Sequence, residues 1–422
     1  MLKNKFTGAG LNPQARAPHA MKFPWTIVVS LVSVIAMAPC GQAADWPQWR
    51  GPQRTGVSRE TGWSSRWPAS GPKRLWTAQV GAGHSSVAVV GGRVYTMGNV
   101  GNQDVVWCLQ AATGKVIWKY AYPCPAGNYA GTRATPTVQD KCVYTLSRDG
   151  LALCLDAVTG RKLWKRNLVR LSGAPVPKWG VAGSPLVEGN LVIYNVGAAG
   201  IALDKATGIL AWKSAAGLGG YASPVAYTSR RQRGVALFAA SGLVGLNPAN
   251  GQRLWHYPWS WNDPYQVNAA DPIFWGDTVF ISSAYNRGCA LLKIGGATPS
   301  LVYRNTNMRN HINTCVLWNG FLYGSDQNTL KCLEIRSGKE RWQSGRIGKG
   351  GLIIAAGKLI VLTERGVLLL AEARPDRYVE IARAKVLGGT CYAHPVLADG
   401  RIFCRNRDGE LVCLDVRQAR RH

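Results

Sequence analysis

The sequence is poor in acidic residues. It contains 22 Asp and Glu against 50 Lys and Arg, so its formal net charge is +28 over 422 residues. The basic residues are scattered, with small clusters near Arg230 and in the C-terminal tail, and no nucleic-acid-binding motif accompanies them. The charge therefore indicates solubility and weak attraction of anions, and we do not expect a nucleic-acid partner.

The chain also lacks the cysteine arrangements that bind metal or haem. It has no CxxC pair, no CxxCH haem site, no adjacent cysteines and no His/Cys spacing typical of a metal site, so we expect no metal. Ten of the 11 cysteines follow residue 44, an even number that leaves disulfide pairing open. Four of them occupy equivalent positions, where packed free thiols are favoured: Cys108, Cys154, Cys332 and Cys413.

The N-terminal 44 residues read as a leader. From Met21 a lysine is followed by an apolar run of roughly 16 residues and then by small residues, which favours a secretory signal over a span of about 20 apolar residues. The start is Met1 or Met21, and a lipid anchor at Cys40 is disfavoured because Pro39 precedes it. We expect a secreted or periplasmic protein whose mature chain has no transmembrane span.

One ten-residue pattern recurs through the rest of the chain. LDAVTGRKLW at 155–164 has four further clear copies, which begin at residues 109, 203, 246 and 333. A weaker copy at 294–303 has Tyr303 in the Trp position and Pro299 in the Gly position, and another spans 370–379. The period of about 40–48 residues, four short apolar runs per unit and Thr-Gly or Asn-Gly turns predict an all-β, eight-bladed β-propeller of four-stranded antiparallel blades.

The two ends of the chain predict how the ring closes. The last copy, at 411–418, stops before its Gly and Trp, whereas an isolated RLW occurs at 74–76, so we expect an N-terminal strand to complete the last blade. We divide the chain into a leader (1–44), an N-terminal extension (45–73) and the propeller (74–418). We expect eight fourth strands, one of them near residue 379. Each of the other seven contains a residue whose ring packs on a neighbouring blade: Trp76, Trp118, Trp164, Trp212, Trp255, Tyr303 and Trp342.

The repeated pattern resembles the tryptophan-docking motif of the PQQ-like (quinoprotein-like) eight-bladed propellers. The segment DWPQWRGPQRTGVS at 45–58 is similar to the start of secreted bacterial members. The resemblance implies two classes. One contains PQQ-dependent dehydrogenases, with the quinone, Ca²⁺, a stacking Trp, an adjacent Cys-Cys disulfide and an Asp base in the central funnel. The other is non-catalytic and includes the outer-membrane assembly propeller lipoprotein.

This sequence departs from the enzyme pattern because it has no adjacent cysteines and no haem-attachment motif. We therefore expect a binding or scaffold protein without catalysis and without a cofactor. Its partner would be a protein, a small molecule or a carbohydrate, bound at the funnel or at the loops around its mouth. The alternative is a PQQ-dependent alcohol or sugar oxidoreductase with a reduced active site that binds PQQ with Ca²⁺.

Candidate binding residues come from the start of each blade, because first strands face the central channel. We align eight hub positions: Ser86, Thr135, Ser184, Ser223, Asp271, Thr314, Leu352 and His394. Together with polar or aromatic neighbours they give the candidates His84, Arg133, Trp179, Tyr221, Asn268, Asp271, His311, Tyr392 and His394. Asp271 is the weak candidate for a base or metal ligand, and Arg133 for an anion contact; local turn formation and ordinary hydrogen bonding are the alternatives.

Aromatic residues outside the repeats give two further expectations. Trp46 and Trp49 are expected to pack on the outer face of the ring, with an exposed patch for a sugar or partner as the alternative. Trp259 and Trp261 lie between blades 4 and 5, and a loop there, with Asp263 and Tyr265 beside it, is a candidate to hang over the funnel mouth.

Overall fold

A computed structural model of the protein describes residues 45–68, 70–261 and 266–418. The expected leader, Cys40, Asp263 and Tyr265 lie outside these residues. Eight antiparallel sheets follow one another along the chain, which confirms the all-β, eight-bladed propeller. Within the described ranges, no helix is both long and apolar enough to span a membrane.

Blades 1 to 6 each consist of four strands in sequence order, with the first strand nearest the hub, and blades 7 and 8 also include strands from the N-terminal region. Two strands precede the blades: β1 (Val57–Ser58) and β2 (Lys73–Gln79). Blade 1 contains β3 (Ala88–Val90), β4 (Arg93–Val100), β5 (Gln103–Gln110) and β6 (Val116–Pro123). Blade 2 contains β7 (Thr137–Gln139), β8 (Cys142–Leu146), β9 (Leu151–Asp156) and β10 (Lys162–Asn167), and the short helix α1 (Leu168–Ser172) follows it.

The middle blades repeat the same arrangement. Blade 3 contains β11 (Leu186–Glu188), β12 (Leu191–Tyr194), β13 (Ile201–Asp204) and β14 (Leu210–Lys213). Blade 4 contains β15 (Val225–Ser229), β16 (Gln232–Ala239), β17 (Gly242–Leu246) and β18 (Arg253–Pro258). Blade 5 contains β19 (Ile273–Trp275), β20 (Thr278–Ser283), β21 (Gly288–Lys293) and β22 (Ser300–Asn305).

The last three blades include the two strands from the N-terminal region. Blade 6 contains β23 (Val316–Trp318), β24 (Phe321–Asp326), β25 (Thr329–Glu334) and β26 (Glu340–Arg346). Blade 7 contains β27 (Gly351–Ala355), β28 (Lys358–Leu362), β29 (Val367–Glu372) and β30 (Glu380–Lys385), with β1 parallel to β27 as a fifth strand. Blade 8 contains β31 (Val396–Ala398), β32 (Arg401–Arg405) and β33 (Glu410–Asp415), completed by β2.

The outer strand of a blade buries little except one ring, and that ring lies on the next blade. Trp118 donates from Nε1 to the carbonyl of Ala157 (3.1 Å), and its ring lies against Gly160, where an added Cβ would come within 2.7 Å of a ring carbon. Gly160 has φ 74°, a left-handed conformation that glycine adopts without steric cost. The repeated Gly of one blade thus receives the repeated Trp of the blade before it.

Most other copies make the same hydrogen bond, and Trp76, Trp164, Trp212 and Tyr303 also lie on the turn glycine of the next blade, whereas Trp342 meets a turn without glycine. Trp76, Trp164, Trp212 and Trp342 donate to the carbonyls of Ala111, Lys205, Pro248 and Arg374, and the Tyr303 hydroxyl donates to Ile335. Trp255 differs, because its Nε1 donates to the Tyr227 hydroxyl of its own blade (2.7 Å), and the blade that follows has Pro299 in place of the turn glycine.

The fourth strand of blade 7, expected near residue 379, begins at Glu380, but its ring position is shifted. Blade 6 pairs Cys332 with Trp342, ten positions later, whereas blade 7 pairs Leu370 with Ala382, twelve positions later. The ring position of blade 7 is therefore Ala382 rather than a residue near 379. The reason is a β29–β30 hairpin two residues longer than that of blade 6, which a fixed ten-residue pattern does not anticipate.

The ring closes as the sequence predicts. Strand β2 pairs antiparallel with β33, with Trp76 opposite Cys413. Arg405 of blade 8, which is 1% exposed, secures the same junction by donating to the carbonyls of Ser85 (3.0 Å), Met97 (2.6 Å) and Gly81 (2.7 Å) of blade 1. Burial without a paired carboxylate lowers the pKa of Arg405 to about 9.

All ten cysteines in the described ranges are free thiols, and nine of them are buried. This agrees with the interpretation of the four equivalent cysteines as packed side chains. Burial raises the pKa of Cys108 to about 11 and that of Cys413 to about 12, so these thiols remain protonated and packed.

We predict that Gly160→Ala destabilises the propeller more than Gly92→Ala. Both glycines have left-handed φ values, 74° and 73°, but a Cβ at Gly92 has no neighbour within 4 Å. Both variants lose about 1–2 kcal/mol from backbone strain, and Gly160→Ala loses a further 1–3 kcal/mol or so from overlap with Trp118. Urea denaturation measures both free energies of unfolding, and equal losses would contradict the Trp–Gly contact.

Candidate functional site

The hub is lined by a hydrogen-bonded belt built from the hub positions. In the belt, the backbone N–H of one hub position donates to the side chain of the hub position in the next blade. Its five bonds run from Ser86 to Thr135 (3.0 Å), Thr135 to Ser184 (2.9 Å), Ser184 to Ser223 (3.0 Å), Ser223 to Asp271 (2.7 Å) and Asp271 to Thr314 (2.8 Å). The predicted alignment of the blades is therefore reproduced by their contacts, and small polar side chains occur because each must accept a bond.

The belt changes character at the last two blades. Leu352 offers no acceptor side chain, and His394 instead contacts the Leu352 carbonyl through Nδ1 (3.1 Å), while the Ser86 hydroxyl donates to the His394 carbonyl (2.8 Å). Main-chain acceptors on both sides of His394 thus join the hub positions of blades 7, 8 and 1.

Residues 46–58, which we name the N-terminal plug, lie across the hub. Trp46 exchanges two main-chain bonds with Val89 of blade 1 (2.7 and 2.8 Å), and the Pro47 carbonyl accepts from Val138 of blade 2 (2.8 Å). At its other end the plug pairs with blade 7 through β1. The inner strands present unpaired edges at the hub, and the plug supplies partners for some of them.

The expectation that Trp46 and Trp49 pack on the outer face of the ring is therefore wrong. Trp46 is 2% exposed and lies beside the innermost strand of blade 1. Trp49 lies in the hub itself, where its Nε1 contacts Asp271 and its ring centroid is 4.5 Å from that of His394. The physical reason is that the main chain of Trp46 pairs with the inner edge of blade 1, and the buried Asp271 supplies an acceptor for the indole of Trp49.

Two buried arginines hold the plug against opposite sides of the hub. Arg50 donates to the carbonyls of Thr314 (3.2 Å) and Cys315 (2.8 Å) in blade 6. Arg54 donates to the carbonyls of Pro185 (2.9 Å) and Ser184 (3.1 Å) in blade 3, and burial lowers its pKa to about 10. Both side chains therefore fix the plug to main-chain carbonyls of the surrounding blades.

Asp271 anchors the plug. Its Oδ2 accepts from Trp49 Nε1 (2.6 Å), its Oδ1 accepts from the Ser223 backbone N–H (2.7 Å), and Arg50 Nε lies 3.9 Å from Oδ2. Burial raises the pKa of Asp271, and the Arg50 charge and the N–H donors oppose that rise. Trp49 thus links Asp271 with His394, which come from blades 5 and 8.

A cavity of about 420 Å³ lies on the mouth side of the plug. Seven of the nine sequence-predicted residues line it: His84, Arg133, Trp179, Tyr221, Asp271, His311 and Tyr392. Asn268 does not line it, since it is fully buried and ties blades 4 and 5 by donating to the Ala239 carbonyl (2.8 Å) and accepting from the Ser283 hydroxyl (2.9 Å). His394 is also outside the lining, beneath the Trp49 ring.

Sequence reasoning missed five further lining residues with rings or polar groups: Trp49, Tyr129, Tyr285, Asn313 and Lys349. Lys349 could have been found, because it precedes Leu352 by three positions, as His311 precedes Thr314. Tyr129 and Tyr285 lie in loops and have left-handed φ values of 59° and 56°. No periodic pattern in the sequence indicates where a loop side chain points.

The cavity is aromatic and cationic. Arg133 and Lys349 carry its positive charge, and Asp271 is the one carboxylate among the described lining residues. Burial and nearby arginines lower the pKa of His84 to about 3, and burial and Lys349 lower that of His311 to about 4, so both imidazoles are neutral at pH 7. Glu364 does not line the cavity but supports two residues that do. Its side chain accepts hydrogen bonds from the Tyr392 hydroxyl (3.1 Å) and the Lys349 backbone N–H (2.9 Å).

The described lining does not fit a calcium ion. Ca²⁺ takes six to eight oxygen ligands, several of them usually carboxylates. Among the described lining residues the one carboxylate already accepts two N–H bonds, and the described part of the chain holds no cluster of three His, Cys, Asp or Glu able to bind a metal.

Sequence comparisons match this chain both to an outer membrane protein assembly factor and to an enzyme. A family model described as "Outer membrane protein assembly factor BamB" matches residues 57–179 and 130–344. The BamB of Burkholderia pseudomallei is 23% identical over 364 residues, which are 81% of this chain and 87% of that protein. A tetrathionate hydrolase of Acidithiobacillus ferrooxidans is 24% identical over 51% of this chain, which spans only 44% of that relative.

Solved structures share the fold. A quinohemoprotein alcohol dehydrogenase from Comamonas testosteroni superposes with a TM-score of 0.66 at 15% identity, covering 89% of this chain and 81% of that one. At that identity the similarity concerns architecture alone.

We predict strong energetic coupling between Trp49 and Asp271. Trp49→Phe removes the indole N–H donor. Asp271→Asn replaces one of the two accepting oxygens with an NH₂ group, so one of the two N–H donors loses its acceptor. Each variant should therefore lose about 1–3 kcal/mol of unfolding free energy. The double variant should lose less than the sum of the two, by about 0.5–3 kcal/mol in urea denaturation. As the matched control, Trp107→Phe, which removes a donor to the Val80 carbonyl, should be additive with Asp271→Asn.

We also predict that His394 makes the fold acid-sensitive. Burial and Arg50 lower its folded pKa to about 3, whereas the unfolded value is about 6.5. Its stabilising contribution is therefore complete above pH 6.5 and decreases as the pH falls toward 3, by about 2 kcal/mol at pH 5.

His394→Asn keeps an N–H for the Leu352 carbonyl but does not titrate, so its free energy of unfolding should fall less between pH 7 and pH 5. Chemical denaturation at both pH values measures the difference, and an identical fall in the parent and the variant would contradict this role.

Proposed function

Because the chain belongs to the PQQ-like β-propeller family described as outer membrane protein assembly factor BamB, we propose that it is a binding or scaffold propeller that acts without turnover. The family model matches residues 57–179 and 130–344, and this chain spans 87% of the Burkholderia BamB. Both matches support membership of this family.

The observation that carries this proposal is the state of Asp271. Oxidation of an alcohol needs a base within reach of the substrate proton. Both carboxylate oxygens of Asp271 are committed to the plug and the belt, and no other described residue of the lining bears a carboxylate. The carboxylate therefore serves to hold Trp49 in place.

We further propose that the protein works outside the cytoplasm, secreted or in the periplasm, and meets a protein, small-molecule or carbohydrate partner at the funnel or its mouth. The leader-like segment 1–44 and the envelope role printed in the name of the BamB relative support this location. The protein class of partner rests on the same relative.

The second candidate is a PQQ-dependent oxidoreductase of alcohols or sugars. The quinoprotein alcohol dehydrogenase PedH of Pseudomonas putida, 31% identical over 34% of this chain, favours it. Bound PQQ would supply a two-electron acceptor, and Arg133 and Lys349 would face its carboxylates in the funnel. The described lining lacks the acidic ligands for the accompanying Ca²⁺.

Reconstitution with PQQ and Ca²⁺ separates the two functions. We expect no reduction of an artificial dye acceptor above buffer with a panel of alcohols and sugars. Sustained turnover that is lost in Lys349→Gln and kept in Lys162→Gln, an exposed outer-strand control, would overturn the proposal. Testing for PQQ binding in the same samples ensures that a negative result reflects chemistry rather than failed loading.

A further inference from the structure

We propose that the outer edge of blades 2 and 3 docks the protein on a bilayer that contains anionic lipids. We name this surface the basic edge, and six exposed residues define it: Lys162, Leu163, Lys165, Arg170, Ile209 and Lys213. The basic edge belongs to the outer strands of the ring, so the inference goes beyond the function proposed for the funnel and does not depend on it.

Contacts between the two blades bring these residues onto one surface. Strand β10 and helix α1 carry the residues of blade 2, and strand β14 and the turn before it carry those of blade 3. Lys213 donates from Nζ to the Leu171 carbonyl of α1 (2.8 Å). Trp164 of β10 lies against Gly208, the neighbour of Ile209. The basic edge is therefore continuous across the junction.

The charge of the basic edge is not neutralised within the described protein. Residues 157–262 contain only two acidic residues, Glu188 and Asp204, against twelve Lys or Arg. Glu188 pairs with Arg233 (2.6 Å), and Asp204 accepts hydrogen bonds from the residues of its own turn. Among the described residues, no carboxylate forms an ion pair with the four cations of the basic edge. This edge therefore presents a positive potential to solvent.

The last blades have a different balance of charge. Residues 334–417 contain ten acidic residues and fifteen Lys or Arg, and several cations there pair with carboxylates, namely Arg374 with Asp376, Arg383 with Glu380 and Arg417 with Asp415. Cations on an edge strand discourage pairing with another sheet whether or not they have such partners. The concentration of unpaired cations on blades 2 and 3 needs a further reason, and an anionic partner supplies one.

Aliphatic side chains among these cations favour a bilayer over a dissolved polyanion. Ile209 is 62% exposed and Leu163 is 38% exposed, and Val158 and Leu210 beside them are 52% and 37% exposed. A dissolved polyanion would pair with the cations and leave the aliphatic groups in water. At a bilayer surface the aliphatic groups enter the interface, while Lys and Arg side chains extend to the lipid phosphates.

Co-sedimentation of the full chain with two kinds of vesicle tests the inference. One kind contains phosphatidylcholine alone, and the other also contains about 30% phosphatidylglycerol, which is anionic. We expect partitioning onto the anionic vesicles to be at least about thirtyfold stronger in about 0.1 M salt, and most of that difference to disappear in about 1 M salt. Every variant below retains residues 1–44, so any binding through their apolar run cancels from the comparison.

Two variants with the same net charge locate the contact. Replacing the four cations of the basic edge by Gln should weaken binding to the anionic vesicles about a hundredfold, because each cation near an anionic surface contributes about fivefold. The matched control replaces four exposed cations of blades 5 to 7 by Gln and should keep most of the binding: Lys293, Lys339, Arg346 and Arg377. Thermal unfolding checks that both variants are folded.

A second pair of variants separates a bilayer from other anionic partners. Ile209→Ser should weaken binding to the anionic vesicles about fivefold, because an aliphatic side chain no longer enters the interface. Leu301→Ser, at a position of β22 in blade 5 that is 50% exposed, should leave binding unchanged. If Ile209→Ser has no effect while loss of the four cations abolishes binding, the edge serves an acidic protein or polymer and the bilayer is rejected.

Equal partitioning onto the two kinds of vesicle would overturn the inference. An equal loss in the two four-cation variants would also overturn it, because net charge alone would then explain the attraction. Neither result bears on the funnel, since dye reduction with PQQ is measured without vesicles. Failure of the docking surface and failure of the proposed function are therefore distinguishable.

Discussion

The structure depends on the contact between an outer-strand ring of one blade and the glycine turn of the next. A blade of four strands cannot bury its faces alone, and the indole supplies apolar area and one directed hydrogen bond to the following blade. Trp118 on Gly160 shows why both members recur: the turn must be left-handed, and a side chain there would occupy the ring's place. Repeated contacts of this kind fix the angle between blades, and that angle decides whether the ring closes after eight.

Closure in turn brings the first strands to a common hub, where main-chain groups lack partners. Two solutions coexist there. The belt uses small hub side chains such as Ser184 and Thr314, and the plug uses Trp46, β1 and the guanidinium groups of Arg50 and Arg54. Asp271 belongs to both, which explains how one acidic residue can be buried at the centre of so basic a chain.

The plug also decides what kind of cavity the funnel becomes. With Trp49 as a floor, the space above it is closed on the plug side and lined by rings, two cations and two neutral imidazoles. The PQQ-like fold serves both enzymes and assembly factors, so architecture leaves the choice open. In this chain both oxygens of Asp271 accept hydrogen bonds from the plug and the belt, which is why we propose binding rather than turnover.

The eight blades, their four-stranded content and the closing strand at 74–76 were predictable from the sequence, because Trp, Gly and alternating apolar runs recur at a regular period. The hub positions were predictable for the same reason, and seven of nine candidates line the cavity through local offsets from those positions. Lys349 lies three positions before its hub residue, as His311 does, so it was predictable in the same way.

The N-terminal plug, the role of Asp271 and the contributions of Tyr129 and Tyr285 were decided by tertiary structure alone. Local sequence specifies strands and turns through interactions between near neighbours, and these repeat. The plug joins residues such as Trp49 and Asp271, which are 222 positions apart, so their contact exists only once the ring has closed around them.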